Sequence, residues 1–532
     1  MPPLAAPETK KTASPSASLR APAEAQTHPA TGRKGPHAAG VWFGNTAWPA
    51  GSSPGAFARD VFRLEGCKTD REKALAFDQW FLRCFNRGAN LKLPGLGGYI
   101  HSADPTLLFT SWGHNECTGW GWVATEALQA AGLKARRAVA FKSGHTFHEV
   151  WYRGLDGKEG WHAFDTFQGW YFLNDAGEVA SCEELAANPD LVAHPRPGGR
   201  SRLGHYTERS GVLHRYQVHD LLDIVQPVQG YELRFEPQVG QTYANLWRPE
   251  SPDLAIGEGD GAGAWGAHCS IGPYDEEGKA RYPEHLPYWK HYLWPRPPAA
   301  NPGGNFNGVE AVRWHGSGCL RWQPLLWGQE VTWSAANAIF ENGTVRPSGP
   351  KKHCEIWWHF KLPYLASYLR LNVAMDSGSG GDLVGFAVSP DAGRCLKPIH
   401  WGPPQGRLDL TVSPKEAPSI RGMQEFWLRL DLSTQSAASN LRVRGLQINV
   451  GYQLNMHILP RLVPGENELY VQAEQVEGVR LVSEWAYTHP DGEQVESVEL
   501  SKAGRERKAV NPQIRKPDDL IMRGVTLKCL PA

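Results

Sequence analysis

The sequence predicts an α+β layer over residues 41–220, a connecting region over 221–308, and a C-terminal antiparallel β-sandwich over 309–532. Three observations predict it. Between residues 117 and 165 a helix-period pattern gives way to period-2 runs, which suits helices packed on an antiparallel sheet. Beyond residue 308 short alternating or apolar runs are divided by Gly, Pro, Asp and Ser, as in a sandwich. Between them lie an acidic Gly-rich run (Gly257-Glu258-Gly259-Asp260-Gly261) and a Pro-rich stretch (Pro295 to Pro302), which suit a connector.

At 532 residues the chain is long enough for about three to four units by the usual domain size. Lys plus Arg and Asp plus Glu number 55 each, so no global field attracts nucleic acid or anionic lipid. Nine cysteines are too few for a disulfide scaffold, and their odd number leaves one thiol without an internal partner. No run approaches the ~18 apolar residues of a membrane helix. Residues 1–40 are rich in Ala, Pro, Ser and Thr without an apolar signal core, so they read as a disordered extension. A cytoplasmic location is the expectation, export requiring a start upstream.

The first helix follows Thr69-Asp70-Arg71-Glu72, where Thr69 and Glu72 can satisfy each other's backbone donors. Its apolar face (Ala74, Phe77, Phe81, Cys84, Phe85) places Cys84 in the core. A second helix is marked by Trp120, Val123, Ala124, Ala127, Leu128 and Ala131, stopped by Gly132, with Cys117 at its leading edge. Arg137 to Phe141, His145 to Arg153 and Gly160 to Phe164 read as strands, the last two joined at Asp156-Gly157. In the sandwich, Ile356 to Leu362, Tyr368 to Met375, Leu383 to Val388, Phe426 to Leu432, Leu441 to Val450 and Glu468 to Ala473 read as strands. Even positions 426 to 432 form a wholly apolar face, and Trp357 and Trp358 must point to opposite faces.

Cys117 is placed for nucleophilic chemistry, because a helix N-terminus favours an anion and offers unpaired N–H groups to a developing oxyanion. Two histidines compete as its base. Alternation sets His145, Phe147, Glu149 and Trp151 on one face and Thr146, His148, Val150 and Tyr152 on the other. A two-residue loop at Asp156-Gly157 would set His148 opposite Asp165. A three-residue loop, Leu155-Asp156-Gly157, would set Phe147 there, with His145 as the same-face diagonal neighbour of Asp165. Both loops are chemically reasonable. His114, His145, His148 and His162 lie in this region, yet no Cys-x-x-Cys or His-Glu-x-x-His spacing points to zinc, so neither metal nor cofactor is expected.

The stretch from Cys117 to Arg136 resembles the nucleophile helix of the transglutaminase-like superfamily, where a cysteine opens a helix ending in a Gly-Ile-Pro-Ala-Arg-like turn. His145-Thr146-Phe147-His148-Glu149-Val150 is similar to its His-Ala-Trp-x-Glu-Val strand, and Trp161 to Asp165 to its Trp-x-x-x-Asp strand. The helix from Arg71 to Phe85 resembles the segment preceding that core. The resemblance covers residues 60–185 and implies a papain-like core with Cys117 as nucleophile, His145 as base and Asp165 orienting it. Three departures mark a divergent branch: Leu133-Lys134 for Ile-Pro, Phe147 for Trp, and Thr166 for Pro.

The implied activity is that of a thiol hydrolase or acyltransferase forming a thioester on Cys117, with hydrolysis of an amide or peptide bond favoured over cross-linking. The backbone N–H of Cys117 is one oxyanion donor, and Asn115 or Trp112 is a candidate for the second. The expected partners are a protein, peptide or glycopeptide substrate, with glycan a candidate ligand of the sandwich. The alternatives are a glycopeptide amidase using the same residues and an inactive interaction protein binding glycan or protein.

Overall fold

A computed structural model describes residues 35–87, 105–112, 114–115, 117–140, 145–166, 169–199, 233–246, 316–376, 378, 380–412, 420, 423–455, 458–514 and 520–532. The architecture is β-rich. A small helix-covered sheet occupies the N-terminal part, and two larger sheets face each other over the main core.

Helix α1 (Pro54–Leu64) is capped by Ser53, whose side chain accepts from the Ala56 N–H, and Pro54 supplies a pre-set φ in the first turn. Helix α2 (Asp70–Cys84) carries the expected reciprocal cap between Thr69 and Glu72. Cys84 is buried with Phe77 and Phe81, as its spacing requires. Helix α3 (Cys117–Ala130) ends at Gly132, which takes φ +91°. There the Leu133 N–H reaches Leu128 O at 2.9 Å and the Gly132 N–H reaches Gln129 O at 3.0 Å, the bonds that close a helix on a left-handed residue. Arg59 of α1 donates to Ala130 O at 2.9 Å and covers the same end from outside.

The sheet beneath α3 contains β1 (Lys134–Ala140), β2 (His145–Arg153) and β3 (Glu159–Phe164), all antiparallel. Trp120, Val123, Ala124, Ala127 and Leu128 of α3 share a buried cluster with Ala135, Val150, Tyr152 and Phe164 of that sheet. The opposite face packs Ala138, Phe147 and Ala163 against Trp170, Phe172 and α4 (Cys182–Ala187). This sheet is therefore covered on both sides, and the polar residues within it are enclosed.

The remaining strands are β4 (Thr242–Leu246), β5 (Gly316–Trp322), β6 (Ser334–Ala336), β7 (His353–Lys361), β8 (Leu365–Asp376), β9 (Leu383–Ser389), β10 (Lys397–Gly402), β11 (Arg407–Val412), β12 (Glu425–Ser433), β13 (Arg442–Leu454), β14 (Asn467–Ala473), β15 (Val479–His489), β16 (Gly492–Leu500), β17 (Gly504–Val510) and β18 (Ile521–Pro531), of which β14 and β17 form a three-stranded sheet with Trp42–Asn45 and the others build the larger sheets. One sheet runs β6–β7–β12–β9–β10; the other runs β11–β8–β13–β5–β4–β18–β15–β16. Phe426, Leu428, Leu430 and Leu432 are all fully buried and meet Leu369, Leu371, Ile448 and Val450 in one core. Each such side chain contributes roughly 1.5–3 kcal/mol on burial. Trp358 lies in that core and Trp357 on the outer face, as alternation demands, yet both are buried because the turn at Gly393 closes over Trp357.

Chain pairing crosses the expected boundaries. Residues 37–39, expected within the extension, pair with 475–477, and Trp42–Asn45 pairs with β14. Residues 233–246, expected as connector, bury Leu233, Phe235 and Val239 in the main core, and β4 joins β5 to β18. The physical reason is that exposed sheet edges and apolar side chains recruit any segment able to pair, however remote in sequence. The Gly-rich run at 257–261, the Pro-rich stretch at 295–302 and residues 1–34 lie outside the described residues. Among the described residues, no helix is long and apolar enough to cross a membrane.

Candidate active site

Cys117 is the first residue of α3 and is half-buried. One turn further on, Gly121 lies so close to β2 that a Cβ there would stand 3.1 Å from Thr146 Cγ2 and 3.2 Å from Phe147 O. A larger residue at 121 would lift the helix end, and Cys117 with it, off the strand. Trp120 fixes the same end, its ring edge-on to Phe81 at 5.4 Å and against Phe85 at 5.0 Å. The segment leading to Cys117 is tied from the sandwich: the Asn455 N–H donates to Thr110 O at 2.7 Å and its side chain to Phe109 O at 3.0 Å.

The hairpin loop has three residues. Arg153 pairs with Glu159, the Gly154 N–H donates to Lys158 O at 2.8 Å, and Gly157 takes φ +79°. The left-handed residue comes third, as this loop class requires. His148 consequently pairs with Phe164, where the ladder ends; the same register continued one residue would set Asp165 level with Phe147, and Asp165 itself bridges to Trp170. His145 opens β2, its backbone paired with Ala140; the Phe147 face of β2 packs on α4, on the side of the sheet away from α3. Asp165 is fully buried; its N–H donates to Trp170 O at 2.9 Å and its carbonyl accepts from the Gly169 N–H. The side chains of His145, Trp112 and Asn115 lie outside the described residues. Their backbones do not: Trp112 ends the turn Leu108–Trp112, and His114–Asn115 pairs in parallel with Asn86–Arg87 immediately before α3.

His148 takes the opposite face of β2, beneath α3. It is 1% exposed, its ring lies parallel to Phe164 at 5.9 Å, and Nδ1 has no hydrogen-bond partner among the described residues. Burial pushes its pKa down to about 4, with the nearby Asp165 charge acting to raise it. It is a neutral, packed imidazole above that pH.

Two further charged groups organise the site without reaching Cys117. Glu149, fully buried, accepts from Arg136 Nε at 2.8 Å and from the Cys182 N–H at 2.8 Å, joining β1, β2 and the start of α4. Arg136 also lies 4.0 Å over the Trp161 ring. Glu178 accepts from Arg71 at 2.8 Å, from the Tyr152 hydroxyl at 3.1 Å and from the Leu155 N–H at 2.9 Å, locking α2 to the hairpin loop. His162 is structural, held to Val179 O at 2.6 Å and stacked on Tyr152 at 3.7 Å. Sequence reasoning missed Asn455 and Glu178, since neither stands in a local motif; both act across more than 20 residues of chain.

No family model matches the chain, and no curated protein matches it. Among solved structures it is similar to a β-glucuronidase from Bacteroides uniformis (10% identity, TM-score 0.14, 30% of this chain and 21% of that one) and a putative β-galactosidase from Bacteroides fragilis (8%, 0.14, 33% and 32%). It is also similar to the Endo-D glycoside hydrolase domain from Streptococcus pneumoniae R6 (11%, 0.13, 41% and 33%). The chain thus covers a third or less of each of these, at TM-scores too low to carry an argument about fold or activity.

Proposed function

We propose that the protein is a thiol hydrolase or acyltransferase of transglutaminase-like type, acting on amide or peptide bonds through Cys117, His145 and Asp165. The sulfur of Cys117 attacks the acyl carbon while His145 takes the thiol proton, and a C–S bond forms. His145 then returns the proton to the leaving amine as the C–N bond breaks, leaving a thioester. Water, or a second amine for transfer, attacks that thioester and regenerates the thiol. Asp165 holds the imidazole's orientation and stabilises its charged form. The backbone N–H of Cys117 serves as one oxyanion donor, with Asn115 or Trp112 the candidates for the other.

What supports His145 in this reading is the order and spacing of the Cys117, His145 and Asp165 motifs in the sequence; His148, on the side of β2 that faces α3 and in electrostatic contact with Asp165, is the competing base. The test compares wild type with Cys117→Ala on a mixed peptide and glycopeptide library, read by mass spectrometry. Products formed by wild type and absent with Cys117→Ala support the proposal. Equal product from both, or product from neither, overturns it, the last favouring an interaction protein. Release of intact glycan specifically from asparagine would identify the amidase alternative.

A further inference from the structure

The sandwich has an outward face whose chemistry the catalytic proposal does not use. In the β6–β7–β12–β9–β10 sheet a single cross-strand row runs Trp401, Gly385, Asp431, Glu355, each paired in register with the next. All four therefore share one face. Gly385 has no side chain, and the Trp401 ring lies in the space a Cβ would take, which brings the indole across the strand toward Asp431. Trp401 is 45% exposed, whereas Trp357 on the neighbouring row is covered by the turn at Gly393.

Beside this indole the polar groups are fixed before any ligand arrives. Asp431 is 1% exposed; Arg429 Nε stands 2.8 Å from Oδ2 and His353 Nε2 stands 2.9 Å from Oδ1. Glu355 lies 3.6 Å from Arg429 and accepts from the Trp357 indole N–H. An exposed aromatic plane bordered by rigid carboxylate, guanidinium and imidazole groups matches a pyranose, which has a C–H face to stack and hydroxyls that both donate and accept. Pre-ordering of these groups lowers the entropy lost on binding.

We infer that this face is a carbohydrate subsite for neutral hexose or N-acetylhexosamine units, with Trp401 as the platform, His353, Glu355 and Arg429 as the hydrogen-bonding rim, and buried Asp431 holding His353 and Arg429 in place. A divalent cation is the competing ligand, because donor atoms of His353, Glu355 and Asp431 lie within 4.8 Å of one another. Arg429 decides against it: its guanidinium already balances both carboxylates, and a cation there would meet that charge at close range.

The subsite stands independently of turnover, so the test uses full-length protein in the Cys117→Ala background. Cellohexaose, chitohexaose, a galacturonic acid hexamer, ZnCl2 and CaCl2 are titrated separately by calorimetry. The expected result is binding of a neutral hexamer, weakened at least tenfold by Trp401→Ala, largely restored by Trp401→Phe, and weakened several-fold by Glu355→Gln. Far-UV circular dichroism checks that the variants remain folded. Absence of binding by both neutral hexamers, equal binding by Trp401→Ala, stronger binding of the galacturonic acid hexamer, or a metal titration abolished by His353→Ala without any sugar binding would each overturn it.

Discussion

The helix-covered sheet and the sandwich solve opposite problems. Around β2 the charged groups face inward: Glu149, Asp165 and His148 are all at most 1% exposed, enclosed by α3 on one side and α4 on the other. In the sandwich the interior is apolar along whole strand faces, as at Phe426 to Leu432, and the charged groups line the outer row at Glu355, Arg429 and Asp431. Burying a polar group costs free energy unless it is satisfied, so the inward groups require partners or a task. Glu149 has partners, and for Asp165 we propose a task. The sandwich buries fewer charges, Asp431 and Asp382 among them, and each is held by partners at its outer face or loops.

The contrast can be broken most severely at Glu149. Glu149→Ala leaves Arg136 facing an enclosed site without its carboxylate and should destabilise by about 3–5 kcal/mol, read from urea midpoints. A loss below 1 kcal/mol would mean this layer is not the enclosed environment described. His148 gives the next largest effect, through pH. Its folded pKa of about 4 lies below the ordinary 6.5, so the unfolded chain takes up a proton first. Stability should therefore be full above pH 6.5, fall as pH drops toward 4 by at most about 3 kcal/mol, and level off below. His148→Leu should flatten that fall; an unchanged slope would contradict the burial. The smallest effect belongs to the surface pair of Arg480 and Glu499, 2.9 Å apart and half-exposed. Glu499→Ala should cost under about 1 kcal/mol, and less in high salt.

Where local chemistry decides, the sequence was legible. The Thr69–Glu72 cap, the Gly132 stop, the β2 strand and the apolar alternation of β12 all stand where their patterns put them. Helix α1 was not foreseen although Ser53-Pro54 is a start signal and Phe57, Ala58, Val61 and Phe62 keep helical spacing. Pairing partners were not legible, because alternation gives a strand its faces and not its neighbour. Thus nothing local announces that Trp42–Asn45 pairs with β14 or that β4 completes the large sheet. The hairpin register lies between these cases: Leu155-Asp156-Gly157 permits two loops, and only the Gly154–Lys158 bond distinguishes them.

Per-site alkylation by iodoacetamide at pH 6.5 tests the Cys117–His145 pair most directly, with Cys395 as an internal exposed reference. Labelling of Cys117 should exceed that of Cys395 at least tenfold, fall to the level of Cys395 in His145→Ala, and persist in His148→Leu. Equal labelling of the two cysteines in wild type, or loss of the difference with His148→Leu and not with His145→Ala, would contradict the account.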